Sequence, residues 1–244
     1  RLQGVLAEAS RQSVEVLCLP ELCLSGYGCE DAFHAPSTFE ESWRMLDQLL
    51  PLTAGMVVNF GLPVWHQGAV YNAAALVVDT EIVGLVAKQH LAGDGIHYEP
   101  RWFKAWPAGV CAEWLSPDGP LPLGDLTFDL LGRGETLRLG FEICEDAWVA
   151  DRPGGRLAGR AVDVILNPSA SHFAFGKQKI RERFVVEGSR AFAEAYVYAN
   201  LNGNEAGRAI YDGGALLASG GENGAPGAPF FLRGWALTPP PGRI

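Results

Sequence analysis

Short apolar runs recur along the chain, and segments with helical spacing lie between them. Runs that are rich in β-branched residues and end at a polar residue or a proline are typical of buried strands. They occur at residues 14–21, 56–64, 69–79, 82–88, 137–144, 162–170, 195–203 and 208–218. The apolar spacing predicts helices at residues 2–12, 39–50 and 177–195. Interleaved strands and helices predict an α/β fold in which helices pack on sheets.

The length and the distribution of glycine and proline favour one domain with a loose end. The chain has 244 residues, a length that a single α/β domain commonly reaches. Residues 89–125 are rich in Gly, Pro and Trp, and we predict a long ordered loop region there. A second Gly/Pro-rich stretch begins at Ser219. We therefore predict a domain at residues 1–218 and a tail or linker at residues 219–244.

Charge and cysteine content exclude several classes of function. A formal net charge of −9 and the absence of a basic run argue against a nucleic-acid partner, which needs clustered Lys and Arg. No apolar stretch reaches the roughly 20 residues that cross a bilayer, and the first residues lack the features of a signal peptide. Five cysteines without a CxxC pair favour reduced thiols in the cytoplasm. No His and Cys spacing suits a metal, so we expect none.

Three polar residues follow predicted strands, namely Glu21, Lys88 and Cys144. Reactive side chains often converge at strand ends in α/β folds, where a rigid sheet holds the loops. A thiol is mostly protonated near neutral pH, and nearby acids would raise its pKa unless a cation is close. Lys88 supplies that cation for the thiolate and for a tetrahedral oxyanion, while Glu21 is the candidate base that returns the proton to a leaving ammonia.

Each of these residues also has a purely structural interpretation. A lone buried cysteine is more often a small apolar side chain than a nucleophile. Glu21 could be an acid at the start of a helix, and Lys88 a solvated strand end. The spacing of the three residues alone does not decide between these interpretations.

Four longer motifs carry a resemblance to a known family. They are PELCLSGYGCEDAF (20–33), KQHLAGDGIHYEPRWF (88–103), GFEICEDAW (140–148) and NPSASHFAFGK (167–177). Together they resemble the nitrilase-type, or carbon–nitrogen hydrolase, superfamily, and more narrowly the glutaminase domain of glutamine-dependent NAD synthetases. The sequence CEDAW, in place of the aromatic residue and acid that follow the cysteine in many family amidases, points to that branch. The resemblance extends over roughly residues 14–218.

The resemblance implies a four-layer αββα sandwich and a catalytic triad of Glu21, Lys88 and Cys144, with Glu99 as a second glutamate. It further implies a γ-glutamyl thioester on Cys144 that water hydrolyses to glutamate. Positions that contact glutamine in such domains correspond to Tyr98, Glu145, Ser171 and Lys177. Ser171 also suits a helix N-cap.

The family pattern implies further partners. A short strand precedes the opening helix in the family, and an ATP-dependent synthetase domain with an SGGxDS loop follows; neither is matched in these 244 residues. We expect no cofactor for this domain, and ATP and Mg²⁺ only for a synthetase domain or subunit that receives the ammonia. Association of this chain with further copies of itself is also expected.

Two other functions stay open. The chain could be a stand-alone amidase of the same superfamily that acts on another small amide, which a screen of ω-amides against glutamine would reveal. Alternatively, it could be an inactive interaction or regulatory module. In that case Cys144 would react with a glutamine-like electrophile no faster than the other cysteines.

Overall fold

The computed structural model describes residues 1–132, 135–193, 195–205 and 208–224. Its helices are α1 Leu2–Arg11, α2 Pro36–Leu49, α3 Glu99–Trp102, α4 Gly154–Gly159 and α5 Lys177–Ala191. Its strands are β1 Val16–Leu17, β2 Val57–His66, β3 Ala69–Val78, β4 Glu81–Ala87, β5 Cys111–Ser116, β6 Gly119–Gly124, β7 Phe128–Gly132, β8 Glu135–Phe141, β9 Val164–Ser169, β10 Ala195–Asn200, β11 Asn202–Glu205, β12 Ala209–Asp212, β13 Ala215–Ser219 and β14 Glu222–Asn223. Contacts group the chain into two compact units, Arg1–Leu126 and Thr127–Ile244. The predicted α/β class is confirmed.

The first unit is built on a six-stranded sheet with the order β1-β2-β3-β4-β6-β5. β2, β3 and β4 form consecutive antiparallel hairpins, and most residues of β2 and β3 are buried. The turn between β3 and β4 places Asp79 and Thr80 at positive φ, as the tight turn of a two-residue hairpin requires. The helix α2 packs against β2 through a face that includes Trp43 and Leu46.

The prediction of a long loop at residues 89–125 is wrong in part. The segment contains α3 and an antiparallel hairpin of β5 and β6. β6 pairs with β4 only at Leu123 and Gly124, so Pro120 and Pro122 lie where β6 has a neighbour on one side alone. Proline is tolerated in a strand at such edge-like positions because its missing N–H costs no ladder bond.

The second unit contains a six-stranded sheet with the order β14-β13-β10-β9-β8-β7, and a separate hairpin of β11 and β12. β8, β9 and β10 run parallel, so their carboxyl ends share one edge of the sheet. The helix α5 packs against β10 and β13. One buried hydrophobic cluster of this unit consists of Leu157, Val162, Ile165, Val185, Tyr196, Tyr198, Leu216 and Ala218.

Two features of the fold bear on the ends of the chain and on membranes. In the predicted tail, β14 pairs with β13, and residues 225–244 lie outside the described residues, so the boundary at 218 stays a prediction. Among the described helices, none combines the length and the apolar character that crossing a bilayer requires.

Candidate active site

Lys88 is the centre of a buried charged cluster in the first unit. It follows β4, and its backbone N–H donates to Asn72 O on β3 at 2.9 Å. Its Nζ donates to Glu21 Oε1 at 2.6 Å and to Glu99 Oε1 at 2.7 Å. The side chains of these three residues are fully buried. Charges buried this deeply persist only where partners compensate each of them, and here one ammonium bridges two carboxylates.

The turn that carries Glu21 is fastened to β2 by two residues. Asn59 brackets the preceding segment, because its Oδ1 accepts from Leu19 N and its Nδ2 donates to Leu19 O, both at 2.9 Å. Gly61 allows the backbone to approach closely, since a Cβ there would lie 2.2 Å from Leu22 N and 2.9 Å from Glu21 C. Leu22 adopts a positive φ of 48°. These contacts fix the direction in which the Glu21 carboxylate leaves the turn.

Glu99, at the start of α3, is held by both of its oxygens. Its Oε2 accepts from Ala92 N at 2.7 Å, while Ala92 O accepts from Glu99 N at 3.0 Å. Its Oε1 accepts from Tyr27 Oη at 3.0 Å as well as from Lys88. Glu99 is therefore oriented by a reciprocal backbone pair on one side and by two side-chain donors on the other.

The environment of Glu21 raises its pKa to about 7. Burial is the main cause because it disfavours the charged carboxylate, and the negative charge of Glu99 adds to it. The charge of Lys88 and the hydrogen bonds from Lys88 and Asn72 act in the opposite direction. A carboxyl group with a pKa near neutrality can both take and return a proton, which is the property that general acid–base catalysis requires.

Cys144 occupies a strained turn in the second unit. It follows β8 after two linking residues and opens a short 3₁₀ helix, Cys144–Ala147. Its φ of 48° lies in the left-handed region, which costs a non-glycine residue of order 1–3 kcal/mol. The turn is closed by Asp146, whose carboxylate accepts from Ile143 N at 2.9 Å. Residues in such strained conformations cluster at functional sites.

The residue two positions before the thiol is anchored by a buried network. Glu142 accepts from Arg152 Nε at 2.9 Å, from Gly154 N at 2.7 Å and from Tyr196 Oη at 2.6 Å. A second nitrogen of Arg152 also binds this carboxylate. The guanidinium lies over the rings of Phe192 and Tyr196, at 5.0 and 5.7 Å from their centroids. Glu142 thus ties the end of β8 to the chain beyond the 3₁₀ helix.

Lys177, the first residue of α5, lies within electrostatic reach of the thiol. Its Nζ is 3.2 Å from His172 Nδ1 and 5.2 Å from the centroid of the Trp148 ring. Burial lowers the pKa of Lys177, whereas the negative charges of Cys144 and Glu145 act in the opposite direction. The second unit therefore brings together three of the predicted residues: the thiol, a carboxylate beside it and a cation.

Ser171 is held in place by two buried side chains, those of Asn200 and Arg181. Its backbone N–H donates to Asn200 Oδ1 at 2.8 Å, and its carbonyl accepts from Asn200 Nδ2 and from Arg181 Nη2, both at 2.9 Å. Ser171 Oγ accepts from Arg181 Nη2 at 3.2 Å. The guanidinium of Arg181 is in turn paired with Asp212. The position of Ser171 is thus set by a buried ion pair.

The structure contradicts the structural alternatives that were considered for Lys88, Glu21 and Ser171. Lys88 as a solvated strand end is wrong, because its side chain is buried, and no helix begins at Glu21. Ser171 as the N-cap of the following helix is also wrong, since Gly176 holds that position. Tyr98 is 54% exposed, and its contact with substrate stays a prediction.

Several residues that contact the predicted site residues were not themselves predicted from the sequence. Asn72 donates to Glu21 Oε1 at 2.7 Å, and a buried amide within the apolar run of β3 was a visible signal of this in the sequence. Tyr27 and Trp148 lie within the motifs at residues 20–33 and 140–148, whereas Arg181 lies in none of the four motifs. The sequence does not identify the contacts of these three residues, because they depend on residues that are distant in the sequence or on the path of a loop. Among the described residues, no group of three or more His, Cys, Asp and Glu side chains suits a metal ion.

Comparisons with solved structures identify the fold. A glutamine-dependent NAD(+) synthetase from Cytophaga hutchinsonii superposes with a TM-score of 0.83 at 42% identity, over 91% of this chain and 36% of that one. A carbon–nitrogen hydrolase from Helicobacter pylori superposes with a TM-score of 0.72 at 19% identity, over 94% of this chain and 79% of that one. An amidase of the nitrilase superfamily from Nesterenkonia gives a TM-score of 0.71 at 18% identity, over 91% of this chain and 77% of that one. The fold is the nitrilase-type αββα sandwich.

Sequence comparisons agree with this assignment. A glutamine-dependent NAD(+) synthetase from Drosophila melanogaster is 30% identical in an alignment that covers 97% of this chain and 31% of the relative. The corresponding protein of Oryza sativa is 31% identical over 93% of this chain and 32% of the relative. The chain thus spans about a third of the length of the curated relatives that it matches. The family model for carbon–nitrogen hydrolases matches residues 1–222, and the chain belongs to this family.

Proposed function

We propose that this chain hydrolyses the side-chain amide of glutamine and releases ammonia. Cys144 is the nucleophile: its sulfur bonds to the amide carbon, and its proton passes to Glu21. Glu21 then gives that proton to the amide nitrogen, which leaves as ammonia when the tetrahedral intermediate collapses to a γ-glutamyl thioester. Water attacks the thioester with Glu21 as base, and glutamate and the free thiol are formed. Lys88 stabilises the thiolate and the oxyanion, and Glu99 holds Lys88 in position.

The observation that carries this proposal is the buried cluster around Lys88. One ammonium bonded to two carboxylates, with the pKa of Glu21 raised to about 7, supplies both a positive charge and a proton carrier that works in both directions. The left-handed φ of Cys144 supports its assignment as the nucleophile.

The amino-acid end of glutamine is proposed to bind near Lys177. The ammonium of Lys177 suits the α-carboxylate, and the carboxylate of Glu145 suits the α-ammonium. We assign Ser171 and Tyr98 as further contacts. The surroundings of Lys177 support this, because the group is partly desolvated and lies against the face of Trp148.

The ammonia is proposed to serve an ATP-dependent synthetase domain or subunit that makes NAD. Support comes from the relatives named above, which are glutamine-dependent NAD(+) synthetases of about three times this length. ATP and Mg²⁺ then belong to that partner, and the chain described here works without a cofactor. We propose a cytoplasmic location and association with further copies of the chain.

The test is glutamate release from glutamine by the purified chain. Replacing Cys144 with alanine should reduce the rate at least about a thousandfold, because the covalent route is lost. The matched control is Cys111→Ala, which removes an exposed thiol and should retain full activity. Equal rates in the Cys144→Ala variant and the unaltered chain would exclude the proposed nucleophile.

One observation favours a second candidate, an amidase that acts on another small amide. The amidase from Nesterenkonia matches this chain over 77% of its own length, so an enzyme of comparable size carries the fold alone. A panel of ω-amides separates the two candidates, and a strong preference for an amide other than glutamine would support this one.

Labelling with a glutamine-like diazo-ketone tests whether the chain is instead an inactive module. Cys144 should react far faster than the other thiols, including Cys23, whose pKa burial raises to about 12. Uniform slow labelling of all five cysteines would favour the module.

A further inference from the structure

We propose that His97 is a positioning residue for the lysine cluster, acting through Tyr27, and that its imidazole carries a proton on Nδ1. Tyr27 Oη lies 3.0 Å from Glu99 Oε1 and 3.1 Å from His97 Nδ1. A hydrogen-bonded chain therefore runs from a half-buried imidazole, through a buried phenol, to the carboxylate that holds Lys88. The catalytic consequence rests on the proposed function, whereas the protonation state does not.

The two oxygens of Glu99 fix the direction of this chain. Oε2 accepts from the backbone N–H of Ala92, and Oε1 accepts from Lys88 Nζ. Both oxygens thus act as acceptors, as an ionised carboxylate does. If the Tyr27 hydroxyl pointed elsewhere, its oxygen would face the negative Oε1 at 3.0 Å with no proton between them. Burial would make that repulsion costly, so Tyr27 donates to Glu99.

The single proton of Tyr27 then determines the state of His97. A phenol has one O–H, and once that proton is committed to Glu99, the phenol oxygen can only accept from the imidazole. Nδ1 must therefore carry a hydrogen, either in the neutral Nδ1–H tautomer or in the imidazolium. A neutral imidazole in water prefers its proton on Nε2. The contact with Tyr27 thus selects the form that is less populated in solution.

Local geometry keeps His97 in place for this role. The turn that carries it is closed by a hydrogen bond from His97 N to Asp94 O at 3.1 Å. The rings of His97 and Tyr27 meet edge to face, with centroids 5.6 Å apart and an interplanar angle of 90°. Backbone and ring contact together hold Nδ1 toward the hydroxyl.

Loss of the imidazole donor should loosen the lysine cluster. Without it, the phenol oxygen of Tyr27 loses a hydrogen bond that holds it in place. The bond from Tyr27 to Glu99 then fixes the carboxylate less firmly, and Lys88 loses part of its orientation. Small misplacements of catalytic groups typically cost up to about a hundredfold in rate. We therefore expect His97→Leu to lower kcat/KM for glutamine by about tenfold to a hundredfold, with the larger change in kcat.

Nitrogen-15 NMR of the histidine-labelled chain tests the protonation state directly. Two-bond proton–nitrogen correlations distinguish the tautomers, and the spectrum of a His97→Asn variant assigns the signal. We expect Nδ1 to be protonated in the unaltered chain, and the neutral Nε2–H form to appear in Tyr27→Phe. A neutral Nε2–H tautomer in the unaltered chain would overturn the proposal, as would a tautomer indifferent to the loss of the phenol.

Kinetics with matched substitutions test the positioning role. The amide of His97→Asn can place an N–H near the position of Nδ1, so this variant should recover most of the activity that His97→Leu loses. The control is His34→Leu, which removes an exposed imidazole from the 3₁₀ helix Tyr27–His34 and should leave activity unchanged. Equal losses in His97→Asn and His97→Leu would refute the positioning role. If the unaltered chain hydrolysed no glutamine, the proposed function would fail while the NMR result still decided the protonation state.

Discussion

Replacing Gly61 with alanine would insert a methyl group where β2 passes the turn that carries Glu21. The new Cβ would lie 2.2 Å from Leu22 N and 2.9 Å from Glu21 C. Ordinary van der Waals contact begins near 3.4 Å, and both neighbours are backbone atoms that cannot rotate away. The turn and the strand must therefore separate by roughly 1 Å, a displacement that can lower a catalytic rate about a hundredfold.

The same displacement should reduce stability by less than a core cavity does. Overpacking of this kind costs about 1–3 kcal/mol, and the hydrogen bond from Leu24 N to Gly61 O, 3.1 Å long, would be stretched as well. We therefore expect Gly61→Ala to remain folded but to lose about two orders of magnitude in kcat/KM for glutamine. Urea unfolding and glutamate release, measured on the same preparation, check both parts.

The matched control is Gly4→Ala. Gly4 lies in α1, and a Cβ there meets no atom within 4 Å. The substitution should stabilise the helix by about 1 kcal/mol and leave the rate unchanged. Full activity and unchanged stability in Gly61→Ala would refute the argument, because they would mean that β2 does not set the position of the Glu21 turn.

Three further predictions concern the charged groups. Glu21 acts as a base when ionised and its pKa is about 7, so kcat/KM for glutamine should fall as the pH drops through 7. The residual activity of Glu21→Gln should not show this fall. Replacing Lys88 with methionine leaves two buried carboxylates uncompensated. The free energy of unfolding, measured with urea, should fall by about 3–5 kcal/mol at alkaline pH. The loss should be smaller at acid pH, because Glu21 takes up a proton there. Glu142→Gln deprives Arg152 of its counter-charge and should lower the free energy of unfolding by about 3 kcal/mol. It should also slow the labelling of Cys144 by a diazo-ketone. Unchanged unfolding midpoints in both of these variants would contradict the reasoning.

Much of the fold could be predicted because its strands are apolar and its helices have regular spacing. The predicted helix at residues 2–12 corresponds to α1, and the predicted strands at residues 69–79 and 82–88 correspond to β3 and β4. The hairpin of β5 and β6 was missed, since Pro120 and Pro122 read as loop residues until the pairing of β6 is known. The strand predicted at residues 14–21 is shorter, because its C-terminal part forms the segment that Asn59 brackets.

The candidate site could be predicted only in part. The motifs identified Glu21, Lys88 and Glu99, whose mutual contacts the structure places in one buried cluster. Asn72 and Tyr27 contact these carboxylates across 51 and 72 residues of sequence, so their roles depend on strand pairing and loop path. The amide of Asn72 within an apolar run marks that position, but no local pattern identifies the partner of either residue.

The left-handed backbone at Cys144 has a consequence for engineering. A cysteine at this position carries the conformational cost of a φ of 48°, and glycine, which has no Cβ, would relieve about 1 kcal/mol of it. Selection for heat resistance without selection for turnover would therefore drift toward Cys144→Gly and discard the thiol. A thermostabilising library of this chain should therefore keep residue 144 fixed. The difference in melting temperature between Cys144→Gly and Cys144→Ala would measure how much stability the left-handed backbone costs a residue with a side chain.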